Sequence, residues 1–169
     1  MFGRESTYRE EIPHEKCKRD IFDCIVERME YDMPEDNKES MPDQYKTVSL
    51  EEFVEYSKSM FAYWTEDDFA SSFRKMLTIE QFRSEEMQGL YQQYLSSGPA
   101  AYVKDLFESM GIAHAEENAV RFYATMYFYY SVYDGADDKE KVKNEFASAI
   151  GSMAQEWIKQ PKLTQIRKS

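Results

Sequence analysis

The longest stretch of apolar and aromatic side chains lies in residues 116 to 133, which contain no proline or glycine. At helical spacing two neighbouring faces are apolar, with Ala119, Phe122, Tyr123, Met126, Tyr130 and Tyr133 on one and Val120, Ala124, Tyr127 and Ser131 on the other. This arc is wider than a helix on the surface of a monomer normally carries. We therefore expect the helix to be covered on more than one side, by its own core together with either a second subunit or a bound apolar ligand.

Residues 139 to 159 predict a second helix with two apolar faces. One is an inward stripe that runs from Val142 to Trp157 at helical spacing. The other carries small side chains that would let another helix approach closely, so we predict that the last two helices form a four-helix bundle with a second copy. The predicted interface consists of Ala124, Ser131, Ala147, Gly151, Ala154 and Ile158. The alternative is that the small side chains serve a tight helix crossing within one subunit.

Helical periodicity earlier in the chain predicts five further helices and hence an all-α fold of about seven. They cover residues 14 to 31, 49 to 64, 65 to 82, 84 to 95 and about 100 to 110. Ser49 with Glu52 predicts a capping box, Thr65 a cap for the following helix, and Gly111 a C-terminal cap. Glu80 continues an apolar stripe, so it lies either at an exposed helix end or beside a partner of opposite charge.

Composition places the chain among globular proteins, because 42% of its 169 residues are hydrophobic and 15% are aromatic. A net charge of −11 argues against binding of the nucleic-acid phosphate backbone by this chain alone. Cys17 and Cys24 share one face of the first predicted helix and are most simply core thiols of a reducing compartment. The charged N-terminus does not resemble a signal peptide and no apolar run is long enough for a membrane span, so we expect a cytoplasmic protein.

The segment FRKMLTIEQFRSEEMQGLYQQYL at residues 73 to 95, followed by GPAAYVKDLFESMG at residues 98 to 111, resembles the regulatory domain of the TetR family of bacterial transcription regulators. The segment IFDCIVERME at residues 21 to 30 resembles the linker helix that follows the DNA-binding head in that family. The last two predicted helices stand where the family keeps its dimerisation helices. The resemblance covers most of residues 14 to 159. It implies a TetR-like C-terminal regulatory domain that dimerises and, when an effector binds, changes the spacing of two DNA-reading heads.

Under this resemblance, residues 1 to 13 are a remnant of a helix-turn-helix head or a linker from it. Residues 14 to 159 form the ligand-binding and dimerisation domain, and residues 160 to 169 form a tail. Such a head needs about three helices, so we expect it to be incomplete in this chain and assign no DNA contacts. The chain is then either truncated or a sensor without a complete head of its own.

Aromatic and methionine side chains from the second to the sixth predicted helices converge on a possible effector pocket. Tyrosines combine an apolar ring with one hydrogen-bonding tip, which suits a mostly apolar ligand with a few polar groups. The alternative is that these side chains simply fill the core. The candidates are Trp64, Phe73, Met76, Tyr91, Tyr94, Tyr123 and Tyr127.

A rival interpretation is a helical-bundle metalloenzyme, which would need Glu-x-x-His pairs on inward-facing positions. Only Glu11 and His14 have that spacing, and Pro13 interrupts it. No Ser/His/Asp arrangement, glycine-rich phosphate loop or CxxC motif is present, so we expect no catalytic residue, metal or cofactor. A third interpretation is a helical dimer without a head that binds a ligand or another protein.

Overall fold

Helices make up most of the part of the chain that the structure describes. The computed structural model describes residues 48 to 159, which belong to one unit, Ser40–Ser169. Its described part has six helices: α1 Leu50–Glu66, α2 Asp68–Glu80, α3 Glu85–Leu95, α4 Ser97–Ser109, α5 Ala115–Gly135 and α6 Lys139–Lys159. The all-α class is confirmed there, without strands. The helix predicted for residues 14 to 31, its two cysteines and the predicted terminal segments lie outside the described residues.

None of the six helices is both long enough and apolar enough to cross a membrane.

The start of α1 is the capping box that the sequence predicts. The Ser49 hydroxyl accepts a hydrogen bond from the Glu52 amide at 3.1 Å, and the Glu52 carboxylate accepts one from the Ser49 amide at 2.8 Å. Two amides at the helix start are thereby satisfied, since neither has a carbonyl partner within the helix.

The prediction that Thr65 caps α2 is wrong. Thr65 lies inside α1, where its hydroxyl donates to the Phe61 carbonyl at 2.7 Å, as a buried threonine within a helix commonly does. Asp67 takes the capping role, because its carboxylate accepts a hydrogen bond from the Ala70 amide at 2.7 Å. Two residues that can both cap a helix stand close together, and the extended backbone at Asp67 decides which one does.

Helix α2 ends at Glu80 rather than near residue 82. The Glu80 carboxylate pairs with Arg83 at 2.9 Å and keeps 28% of its side chain exposed. Both alternatives offered for this carboxylate therefore hold, since it lies at a helix end and has a cationic partner. The next residues turn the chain, and Ser84 caps α3 by accepting from the Met87 amide at 3.2 Å.

Two glycines shape the ends of α4. Gly111 has a positive φ of 72°, and its amide donates to the Glu108 carbonyl while the Ile112 amide donates to the Phe107 carbonyl. This is the Schellman arrangement, which confirms the predicted C-terminal cap. At the other end, a Cβ on Gly98 would lie 2.3 Å from the Gln93 carbonyl oxygen, so only glycine fits the corner between α3 and α4.

The core lies where α1, α5 and α6 pack on one another, with α4 against α5. Aromatic rings fill it: Phe61 stacks on Phe146 with ring centroids 4.2 Å apart, and Phe107 lies 4.6 Å from Trp157. The indole nitrogen of Trp157 is buried without a hydrogen-bond partner in the described residues. Such a donor costs about 1–3 kcal/mol, which burial of the large ring offsets.

Candidate functional site

A buried arginine links α2 to the end of α5. The guanidinium of Arg74 donates to both carboxylate oxygens of Asp134, at 2.9 and 2.7 Å. Arg74 is only 4% exposed, while the Asp134 side chain is 28% exposed and also lies 3.5 Å from the Lys75 ammonium. A bidentate ion pair of this kind fixes the relative orientation of the two side chains as well as their distance.

The same guanidinium also reaches α1 and a tyrosine ring. Its Nε donates to the Trp64 carbonyl at 3.0 Å, and its Cζ lies 4.9 Å from the centroid of the Tyr130 ring. The Trp64 carbonyl belongs to the last turn of α1, where backbone acceptors lack partners within the helix. Arg74 therefore supports the ends of two helices and one face of an aromatic ring at once.

Tyr130 belongs to a group of four neighbouring tyrosines, Tyr91, Tyr123, Tyr127 and Tyr130, which we call the tyrosine cluster. Tyr91 from α3 donates its hydroxyl proton to the hydroxyl oxygen of Tyr127 from α5, at 2.8 Å. The ring of Tyr127 lies 6.5 Å from Tyr123 and 6.3 Å from Tyr130, centroid to centroid. Spacings of three and four residues on α5 put these three rings on neighbouring positions of one helix.

Burial raises the pKa of three tyrosine hydroxyls of the cluster. It raises the pKa of Tyr91 to about 12, with further contributions from the hydrogen bond to Tyr127 and from its charge, while a hydrogen bond from the Gln81 side chain acts in the opposite direction. Burial also raises the pKa of Tyr123 and of Tyr130, and the nearby Arg74 charge opposes both shifts. At neutral pH these three hydroxyl groups are therefore neutral, and each can donate and accept a hydrogen bond.

Of the seven predicted effector-site residues, the structure brings Tyr91, Tyr123 and Tyr127 together. The other four candidates follow a separate line of rings and side chains on α1, α2 and α3. Trp64 lies 6.5 Å from Phe73 and Phe73 lies 5.3 Å from Tyr94, and all three are buried, whereas Met76 is half-buried. The burial of these three aromatic side chains fits the alternative that they fill the core.

The outer face of α5, formed by Val120, Ala124, Phe128 and Ser131, points away from the core. All four residues are exposed, with 56% of Val120 and 61% of Phe128 accessible to solvent. Ala124 and Ser131 belong to the predicted dimer interface. The two larger residues were outside that prediction, although they contribute more apolar area.

On α6 the predicted interface residues differ in how much surface they leave open. Ile158 is 59% exposed, and Ala147 and Gly151 are half-buried. Ala154 is only 6% exposed, so the structure places it in the core of this chain and leaves it little area for a second copy. This part of the small-residue face thus serves packing within one subunit.

Arg74 and Asp134 are the site residues that the sequence interpretation missed. Sixty residues separate them along the chain, so no local spacing reveals the pair. One signal was present: Arg74 stands four residues after Ala70 and three before Leu77, on the inward stripe of α2. An arginine on an apolar stripe is buried only when a partner is available.

Hydrogen bonding is the chemistry that these described residues provide. Within residues 48 to 159, no group of three or more histidine, cysteine, aspartate or glutamate side chains is placed to hold a metal ion. Arg74 already uses three of its donor hydrogens on Asp134 and Trp64. The tyrosine hydroxyls are the polar groups of the cluster that can bond to a ligand.

Comparison of the chain with protein-family models, curated proteins and solved structures gives no match. The function proposed below therefore rests on the geometry of the described residues and on the resemblance of the sequence segments.

Proposed function

We propose that this chain is the small-molecule-sensing and dimerisation part of a TetR-like bacterial transcription regulator, in which effector binding alters how a helix-turn-helix head binds DNA. The observation that carries the proposal is the double role available to α5. Tyr127 of this helix contacts Tyr91 of α3, and the exposed Val120 and Phe128 lie on the adjoining part of its circumference. A helix that touches both an effector and a second subunit can convert binding into a shift between subunits.

The effector side is supported by the mixture of apolar rings and neutral hydroxyl groups in the tyrosine cluster. Small-molecule sites are mainly apolar and use a few polar groups to fix orientation. Tyr91 and Tyr127 are both half-buried, so neither side chain is fully enclosed in the core. The proposed effector is accordingly a small and mostly apolar compound.

The dimer side is supported by the outer face of α5. A valine and a phenylalanine, each more than half exposed and eight positions apart, lie on the same side of one helix. Ile158 on α6 is also 59% exposed, and subunit interfaces cover exposed apolar side chains of this kind. A second copy related by a two-fold axis would bury the outer face of α5 in both subunits at once.

Native mass spectrometry of the purified full chain tests both parts. The expected result is a species of twice the 20.1 kDa chain mass, together with adducts of small molecules carried through purification or added from an apolar compound set. A monomer that takes up no compound would overturn the proposal. A dimer without any adduct would remove sensing and leave an interaction domain.

A further inference from the structure

The polar contacts of the tyrosine cluster indicate what kind of ligand atom it receives. We propose that the effector is a neutral, mostly apolar molecule with a carbonyl-type acceptor, and that this acceptor takes a hydrogen bond from the Tyr127 hydroxyl. The inference deepens the proposed sensing function and rests on it. It follows from counting the hydroxyl protons and from the charges that surround them.

The proton count concerns the hydroxyl groups of Tyr91 and Tyr127. The Tyr91 hydroxyl donates to the Tyr127 oxygen at 2.8 Å. Each tyrosine hydroxyl carries one proton. The Tyr91 proton is used in this bond, so the Tyr127 proton is the one that remains for an external acceptor.

The direction of the hydrogen bond from Tyr91 to Tyr127 favours a strong bond from Tyr127 to a ligand. When one hydroxyl accepts a hydrogen bond, its own proton becomes a better donor, because successive bonds polarise one another. Tyr127 accepts the hydrogen bond from Tyr91 and lies on α5, the helix proposed to move with the second subunit. A ligand without an acceptor would leave this proton unpaired as it removes water, which costs affinity.

The surrounding charges favour a neutral acceptor over a carboxylate. Arg74, whose guanidinium lies against the Tyr130 ring, and Lys75 both pair with the Asp134 carboxylate, at 2.7 and 3.5 Å. An anionic ligand would compete with a carboxylate that is already held by two guanidinium bonds. The net charge of −11 also repels anions from the chain as a whole.

The test uses the full chain and three naphthalene probes of similar size: acetylnaphthalene, ethylnaphthalene and naphthoate. Equilibrium dialysis gives a Kd for each. Tyr127→Phe keeps the ring and removes the terminal proton, so the ratio of ethylnaphthalene Kd to acetylnaphthalene Kd should fall about fivefold, as expected for one neutral hydrogen bond. Naphthoate should bind no more tightly than acetylnaphthalene.

Tyr91→Phe is the matched variant. Both substitutions break the hydroxyl contact between α3 and α5, but only Tyr127→Phe removes the proposed donor. The Kd ratio should therefore fall much less in Tyr91→Phe, which loses only the polarising bond, than in Tyr127→Phe, and equal ratios in the two variants would overturn the inference. Tyr129→Phe, whose ring faces Phe146 of α6, should leave all three constants unchanged.

The outcomes also separate this inference from the proposed function. If both neutral probes bind with a Kd ratio that Tyr127→Phe does not change, the acceptor assignment fails and ligand sensing stands. Tighter binding of naphthoate than of acetylnaphthalene would overturn the proposal that the effector is neutral. If no probe binds and native mass spectrometry shows no adduct, both the inference and the sensing function fail.

Discussion

Arg74 joins three helices through one guanidinium group. It holds Asp134 near the end of α5 and the Trp64 carbonyl in the last turn of α1, while its own backbone lies in α2. Replacing one member of a buried charged pair leaves the other without its partner, and this usually costs more than the pair contributes as a whole. Stability should therefore depend on Arg74 far more than on any exposed cation.

We predict that Arg74→Met lowers the free energy of unfolding by about 3 kcal/mol, because the Asp134 carboxylate and the Trp64 carbonyl lose their donor. Lys75→Met is the control, since half of the Lys75 side chain is exposed and a surface pair is worth less than about 1 kcal/mol. Urea denaturation measures both. Equal losses in the two variants would show that the buried pair has no special weight.

The shifted tyrosines predict how stability responds to alkaline pH. Burial raises the pKa of Tyr123 and Tyr130 in the folded chain above the ordinary value of 10.0. The unfolded chain then loses these protons first, so stability is complete below about pH 10 and declines as pH rises beyond it. Tyr123→Phe should flatten the decline by about 1.4 kcal/mol per pH unit.

Urea denaturation at a series of pH values between about 9 and 12 gives that slope. Lys143 contributes in the same direction, because its hydrogen bonds with Glu66 and Glu140 raise its pKa. Comparison with Tyr123→Phe removes this shared background. An unchanged slope in the variant would mean that the Tyr123 hydroxyl is as well hydrated in the folded chain as in the unfolded one.

The contacts of Arg74 show why part of the site could not be predicted from the sequence. Tyr123 and Tyr127 were accessible to a helical wheel, because they are four residues apart on one helix. The pairing of Tyr91 with Tyr127 and of Arg74 with Asp134 joins residues 36 and 60 positions apart. Such pairs depend on how helices pack, and periodicity does not contain that information.

At the scale of helices, the predicted helix caps allow the most direct comparison between sequence and structure. Every predicted helix that lies in the described residues has a counterpart, because apolar spacing over ten or more residues is a strong signal. The capping box at Ser49 and the glycine cap at Gly111 agree with the structure. Thr65 does not, since two residues with capping side chains compete and the backbone chooses Asp67.

The two serines at helix starts provide a matched pair. Ser49→Ala should lower the free energy of unfolding by about 1 kcal/mol, because the Ser49 side chain bonds the Glu52 amide. Ser96 also precedes a helix but makes no capping hydrogen bond with its side chain, so Ser96→Ala should change stability by less than about 0.5 kcal/mol. Thermal and urea unfolding report both. A similar loss in the two variants would contradict the role given to the capping box.

Glycines give a second pair with opposite expected signs. Gly111→Ala forces a Cβ into a left-handed conformation and should destabilise the chain by about 1 kcal/mol. Gly89 lies inside α3, where a Cβ would meet nothing within 4 Å, so Gly89→Ala should stabilise by about 0.5–1 kcal/mol. The midpoint of urea unfolding gives the sign for each. Stabilisation by both would show that α4 ends in another way in solution.

At the scale of the whole molecule, charge and apolar surface act against each other. Two chains of net charge −11 repel, so a dimer must gain its free energy from buried apolar area. In the proposed dimer, the exposed Val120 and Phe128 on the outer face of α5 would supply that area. Added salt screens the repulsion, and we expect it to strengthen association rather than weaken it.

We predict that Phe128→Glu converts the proposed dimer to a monomer, because a second copy would have to bury two new carboxylates on already acidic surfaces. Phe82→Glu is the control: Phe82 is 86% exposed but lies in the turn between α2 and α3, outside the two helices of the predicted interface. Light scattering coupled to gel filtration measures the mass of both variants, and far-UV circular dichroism confirms that each is folded.

Gly151→Glu provides an independent check from α6. A Cβ at Gly151 would meet nothing within 4 Å, so the fold of one chain tolerates the substitution, while a neighbouring copy on that side would not. Dissociation by Phe128→Glu and Gly151→Glu, with a dimer kept in Phe82→Glu, places both helices in the interface. If only Phe128→Glu dissociates, α5 alone forms the contact and the small side chains of α6 serve the subunit's own core, as the burial of Ala154 suggests. A dimer that survives all three substitutions would remove this surface from the interface altogether.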